Sequence, residues 1–146
     1  MDDNLLKKII GGKLGDITRI CNLISIRLDF EEQNNVFLHI QSFFRILKDG
    51  KVILSSEDMY KCGKNSDDEN FVWDTPGKSL FDESIKEHTN DLVGTCIIDC
   101  KKIDSGDCII SFEKDIVFQI LIDTVEFEEK YRVFDDTEAF VVNSPC

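Results

Sequence analysis

What the sequence has little of narrows the field first. No apolar run approaches the roughly 20 residues that a membrane-spanning helix needs. Only two prolines and eight glycines occur in 146 residues, which excludes collagen-like architecture and proline- or glycine-rich disorder. Basic residues are scarce: 17 Lys and Arg stand against 29 Asp and Glu, a net charge of −12. That argues against direct binding of nucleic acid, because phosphate recognition depends on Lys and Arg. Only two histidines are present. Neither His39 nor His88 has a Ser, Cys or carboxylate at a spacing that suggests nucleophilic or acid–base catalysis. The expectation is a protein that is not an enzyme.

Cofactor signatures are missing as well. A calcium loop needs Asp-x-Asp-x-Asp-Gly with a distal Glu, and the acidic clusters here do not supply it. Gly11-Gly12-Lys13-Leu14-Gly15 lacks the Lys-Ser/Thr and following helix of a phosphate loop, and reads as a turn before the first long strand. Zinc knuckles need Cys-x2-Cys pairs. Cys96 and Cys100 are instead four apart on one strand, about 13 Å by strand rise, too far to share a metal or a disulfide within it. Cys108 or Cys21 remain open as cross-strand neighbours. No cofactor and no metal are expected.

The chain opens Met1-Asp2-Asp3-Asn4, acidic where a secretory signal is basic, and Lys7 and Lys8 interrupt the apolar stretch Leu5–Ile10. No signal peptide is expected. The expectation is a cytoplasmic protein whose six cysteines are reduced thiols behaving as small core hydrophobes.

What is present is a core. Apolar residues make up 42% of the chain and charged residues 32%. At this length a fold hides about 70% of the surface that its unfolded chain exposes. One domain over residues 1–146 is expected. Strict alternation marks Ile24–Phe30 as a half-buried strand. A long strand is expected over Val36–Leu47, with Val36, Leu38, Ile40, Phe44 and Ile46 on one face and His39, Gln41 and Arg45 on the other. Asp49-Gly50 forms a hairpin turn into Val52–Leu54. Ser55–Gly77 reads as a long polar loop. Ser79–His88 reads as a helix capped by Ser79 or Asp82, with Leu80, Phe81 and Ile85 on one side and His88 near its end.

Strands resume over Val93–Ile103, with Cys96, Ile98 and Cys100 sharing a face, then Asp107–Glu113 and Ile116–Ile122. Asp123–Lys130 is an acidic connection. Tyr131–Phe134 and Ala139–Val142 are final short strands, and residues 143–146 form a frayed tail. Ser25–Phe30 with Val36–Leu47 is echoed by Cys108–Glu113 with Ile116–Ile122. The expected fold is β-rich α+β: antiparallel meanders forming a curled sheet, sandwich or open barrel, with one main helix between the halves.

Charge is unevenly spread. Through Lys64 the chain carries ten basic and nine acidic residues, and from Asn65 onward seven and twenty. The first part is near neutral and the second strongly acidic, which points to an oriented surface for a basic partner. The candidate contact residues are Asp67, Asp68, Glu69 and Asp74 in the long loop, Asp82, Glu83 and Glu87 in the helix, and Glu126, Glu128, Glu129, Asp135 and Asp136 near the end. Phe71, Trp73 and Tyr131 are candidate apolar anchors, since aromatics ringed by polar groups commonly dominate binding. Phe71, Val72 and Trp73 can equally tuck back as a loop anchor. A polar pocket near His39 and Arg45 is the alternative, in a small ligand-binding or enzymatic β-barrel domain.

Two stretches carry a resemblance. One runs His39-Ile40-Gln41 through Phe44-Arg45-Ile46, then Asp49-Gly50-Lys51-Val52-Ile53-Leu54 with Ser56 and Asp58. The other runs Ser105-Gly106-Asp107 through Ile110-Ser111-Phe112 and Ile116–Ile122, closing on Glu128–Val133. Together they resemble a family of small bacterial cytosolic proteins that includes immunity proteins of contact-dependent-inhibition and polymorphic-toxin systems. The resemblance covers about residues 9 to 134. Phe44 stands where the family usually has Trp, and a second family Trp near Tyr131 is also replaced. The resemblance implies a protein that binds and occludes a cognate toxin C-terminal domain. Dense carboxylates suit the basic cleft of a nuclease. Neither a membrane nor direct contact with nucleic acid is implied.

Overall fold

A computed structural model describes residues 4–65, 68–126 and 128–143; of Asn4, Leu5 and Asp68 it describes the backbone only. Ten strands form two five-stranded antiparallel sheets, not closed into a barrel, with one main helix. This is the expected β-rich α+β class.

The order of elements repeats. A short helix α1 (Asn4–Lys8) leads into β1 (Lys13–Ile20), β2 (Leu23–Asp29), β3 (Val36–Ile40), β4 (Phe43–Lys48) and β5 (Lys51–Ser55). The longer helix α2 (Leu80–Leu92) leads into β6 (Ile97–Lys102), β7 (Cys108–Phe112), β8 (Ile116–Leu121), β9 (Glu129–Phe134) and β10 (Ala139–Asn143). In between lie two short 3-10 turns, Ser56–Tyr60 and Asp68–Asn70. One sheet has the order β1-β2-β3-β9-β10 and the other β5-β4-β8-β7-β6. Exchanging each strand for the one five places later converts one sheet into the other. Each half thus gives three strands to one sheet and two to its counterpart. The expected meanders are β1-β2-β3 and β6-β7-β8, one from each half, and the remaining two strands of each half join the other half's meander.

The equivalence reaches single hydrogen bonds. Gly11 N–H donates to Ile97 O, and Gly94 N–H donates to Leu14 O. Ile97 N–H donates to Gly12 O, and Leu14 N–H to Thr95 O. Gly11 and Gly94 both lie at positive φ, +93° and +88°, where a side chain would be strained. Ladder register shifts fall between Leu14 and Asp16 in β1 and between Ile97 and Asp99 in β6. The echo of Ser25–Phe30 with Val36–Leu47 in the later strands corresponds to β2–β3 against β7–β8.

Two corrections follow from this plan. The long strand over Val36–Leu47 is two strands: the chain bends at Gln41-Ser42 and passes from one sheet to the other. Its partner makes the same passage, since β3 pairs with β9 and β4 with β8. Such sheet-switching corners are one way to join two packed sheets. In Val93–Ile103 only Ile97–Lys102 is strand, and the bulge splits the expected shared face: Cys100 packs against the core, but Ile98 does not lie on its side. Ile97 is buried, whereas Ile98 is 59% exposed. The extra residue of a bulge shifts a period-two pattern by one.

Smaller differences are local. Lys13–Gly15 lies inside β1 and is not a turn. Helix α2 continues four residues past His88, which is therefore inside the helix and not at its end. Ser79 caps it: its hydroxyl accepts from Asp82 N–H, while the Asp82 carboxylate accepts from Ser79 N–H, a reciprocal cap. Asn143 belongs to β10, and the rest of the expected tail lies outside the described residues.

One continuous apolar cluster joins both sheets and both helices. It contains Ile24, Ile26, Leu28, Leu38, Ile40, Phe44, Cys108, Ile110, Phe112, Phe118 and Ile120, the inward positions that alternation marks. Each large side chain so buried contributes about 1.5–3 kcal/mol.

Candidate functional site

The long polar segment between the halves is held from beneath by Arg19, near the end of β1. Its guanidinium makes a bidentate pair with Asp82, at 2.8 and 2.9 Å. It also donates to Trp73 O at 2.6 Å, to Ser79 Oγ at 3.3 Å and to Cys21 O at 2.8 Å. It lies 6.0 Å from the Trp73 ring centre, within cation–π range. The Arg19 and Asp82 side chains are both nearly buried. Burial opposes the Asp82 charge, but hydrogen bonds from Arg19 and Ser79 outweigh it and hold the carboxyl below its usual value.

Several candidate contact residues are therefore structural. Asp82 is committed to Arg19 and the helix cap. Glu83 accepts from the backbone N–H groups of Lys64 and Asn65. Gly63 sits so close beneath it that a Cβ there would fall about 2.0 Å from the Glu83 carboxylate. Trp73 packs partly against the core, which is the loop-anchor role, and Phe71 is half-buried. Tyr131 is not a surface anchor. It is fully buried, and its hydroxyl donates to Gly106 O at 2.8 Å. Inward alternation along β9 places it there.

The passage from β8 to β9 is the second feature. Where the first half crosses between sheets in two residues, Gln41-Ser42, the second uses residues 122–128. This longer connection closes on Lys130, whose side chain is only 1% exposed. Its ammonium donates to Asp123 at 3.3 Å, to Glu128 at 2.8 Å and to the Thr124 hydroxyl. Burial disfavours the ammonium, yet Glu128 and Asp123 outweigh it and raise its pKa. Ser42 joins from the neighbouring passage, donating to Leu121 O and Asp123. Val125, 90% exposed, and Glu126 stand out from the clamped segment.

The remaining acidic candidates divide by surroundings. Glu129 pairs with Arg132. Asp135 accepts from Thr137 and Glu138 N–H in the β9–β10 turn, which holds its pKa down. Asp74, Glu87, Glu126 and Asp136 are exposed. Glu69 is exposed too, and Asp67 lies outside the described residues.

Tyr60 connects the two acidic regions. Its ring centre is 5.0 Å from that of Trp73. It also lines a small depression with Asn22, Ser42, Glu57 and Asp123. Another groove, of about 300 Å³, is lined by Ile17, Arg19, Ile20, Asp74 and Ile85 among others. The result is an aromatic pair, Tyr60 and Trp73, flanked by Glu57, Asp74 and Asp123. Sequence reasoning missed Tyr60 and Glu57. The signal was the same one that marks Trp73, an aromatic among acidic neighbours.

His39 and Arg45 lie on different sheets, with the Gln41-Ser42 bend between them. The His39 ring packs edge-on against Phe134 at 4.8 Å. Burial, and then Arg132 opposite it, lower its pKa. Arg45 bonds to Gln119 across the β4–β8 ladder. Among the described residues no group of three or more His, Cys, Asp or Glu is placed to hold a metal, and no helix is long and apolar enough to cross a membrane. Comparison with family models, with curated proteins and with solved structures returns no match for this chain.

Proposed function

We propose that this chain is an immunity protein, a non-enzymatic binder that occludes the basic active-site cleft of a cognate toxin nuclease domain in the bacterial cytoplasm. The observation that carries the reading is the Tyr60–Trp73 pair among carboxylates, continuous with the clamped acidic passage at Asp123. An exposed ring, Tyr60, backed by the partly buried Trp73 and with an acidic surround, suits a basic protein surface. The carboxylates speed encounter and the rings supply buried contact. Lys130 and Arg19 hold the two acidic regions in place before binding, which reduces the entropy lost on association. The test is to mix this chain with the nuclease domain of its candidate cognate toxin. A one-to-one complex that suppresses nuclease activity is expected. Full nuclease activity at saturating amounts of this chain, with no complex on gel filtration, would remove the proposal.

A further inference from the structure

Cys100 and Cys108 lie on the same face of the β6–β7 pair. The ladder sets Cys100 opposite Ile110 and Cys108 opposite Lys102, so the thiols are diagonal neighbours. Their sulfurs are 3.7 Å apart and share a hydrogen bond. The equivalent diagonal in the first half is Ile17 and Ile24, on β1 and β2. Packing at this place in the fold is thus satisfied by plain aliphatic side chains. A dithiol adds chemistry that packing does not require.

The two sulfurs differ in access. Cys108 is buried, while Cys100 is half-buried on β6, the edge strand of its sheet. β6 already carries a register shift beside this position. Beyond Ile97, whose backbone also bonds to Gly11 and Gly12, β6 has a strand neighbour on one side only. It can yield the approach of about 1.7 Å that separates the present contact from a bonded pair.

We propose that Cys100 and Cys108 form a peroxide-sensitive dithiol, oxidised in two steps to an internal disulfide that ties β6 to β7. Cys100 loses its proton, and its sulfur attacks one oxygen of hydrogen peroxide. An S–O bond forms, the O–O bond breaks, and the departing hydroxide takes up a proton to leave as water. Cys108 then gives up its proton and attacks the Cys100 sulfenic sulfur. The S–S bond forms, the S–O bond breaks, and the hydroxide leaves as a second water. Two electrons pass from the sulfur pair to the peroxide. The hydrogen bond from Cys108 favours the Cys100 thiolate, against the cost of burial and the nearby Asp99 carboxylate. The same contact, and then burial, hold the Cys108 thiol protonated until the second step. The assignment needs no toxin and is independent of the proposed function.

The experiment uses the full chain, reduced and then freed of reductant, treated with one equivalent of hydrogen peroxide near neutral pH. Intact mass should fall by about 2 Da with the loss of two titratable thiols. Trypsin cuts after Lys101 and Lys102, so the link appears as two joined peptides, 87–101 and 103–114, and fragmentation of the first separates Cys100 from Cys96, which it also contains. With Cys108→Ala, Cys100 should instead retain a sulfenic acid that a dimedone probe labels. The wild-type peptide map decides the matter even where that variant folds poorly. A link through Cys21, Cys62, Cys96 or Cys146, or oxidation of those thiols with Cys100 and Cys108 still reduced, overturns the proposal.

Discussion

Phe44 and Tyr131 occupy equivalent places in the two halves of the fold: Phe44 lies opposite Ile120 of β8, and Tyr131 lies opposite Ile40 of β3. Both rings are fully buried, but only Tyr131 carries a hydroxyl, and it reaches Gly106 O. The two functions of the Tyr131 side chain can therefore be separated. Tyr131→Phe keeps the ring that the first half uses and leaves the Gly106 carbonyl without its partner. A loss of about 1–3 kcal/mol is expected from urea unfolding. Tyr131→Ala should lose about 3–5 kcal/mol, because a cavity opens as well. Equal losses in the two variants would assign all of the stability to the hydroxyl.

Asp82→Ala strands the buried Arg19 guanidinium and removes half of the helix cap. A loss of about 3–5 kcal/mol at neutral pH is expected, the usual result of breaking one side of a buried pair. The pH dependence has a definite sign. The folded-state pKa of Asp82 is depressed, so its contribution is fully present above the unfolded value, about 3.9. It is lost as pH falls through the folded value. The stability gap between wild type and variant, followed by chemical unfolding at a series of pH values, should be constant near neutrality. It should narrow below about pH 4. A gap that widens in acid would contradict the pairing.

Lys130 is the clamp of the acidic passage. Lys130→Met retains the aliphatic stem and removes the charge. Asp123 and Glu128 are partly open to water and can rehydrate, so the loss should be modest, about 1–3 kcal/mol. The informative readout is local. Amide exchange over residues 123–128 should accelerate in the variant while exchange in β2 and β7 keeps its rank. Unchanged exchange in that segment would mean that backbone contacts alone hold it.

Alternation made the core legible because both sheets turn their inward faces to one cluster. Ile40 and Phe44 keep the same parity on either side of Gln41-Ser42, so a bend between sheets leaves no mark on a period-two pattern. The bulge beside Ile98 did the opposite: one extra residue displaced the pattern, and Ile97 took the buried place. The repeat was faintly audible in β2–β3 and β7–β8. Its real basis is register, as in the paired hydrogen bonds of Gly11 and Gly94, and register is not written in residue types. The site was harder to read. Acidic residues look alike in a sequence, whether bound inside like Asp82 or exposed like Asp74. The difference lies in Arg19, 63 residues away. Inward parity could have flagged Tyr131 as core, since it falls between Lys130 and the exposed Arg132 in a strand whose next inward residue is Val133.

If the acidic surface meets a basic partner, charge and aromatic contact should separate kinetically. The variant Asp74→Asn, Glu126→Gln, Asp136→Asn alters three exposed carboxylates that hold no described partner. With the cognate toxin domain, its association rate should fall, and the fall should be largest at low ionic strength. Screening explains why: the Debye length is only about 10 Å at 0.1 M salt, so added salt removes the same attraction from the wild type. Tyr60→Ala should act on the other half of the cycle. Tyr60 is half exposed beside Trp73, and losing a central ring should speed dissociation about tenfold or more with little change in association rate. Stopped-flow mixing at several salt concentrations measures both. Should the triple variant associate as the wild type does at every salt concentration, the acidic half is only a solvated surface. The partner's contact would then have to be sought on the near-neutral first half, around His39 and Arg45.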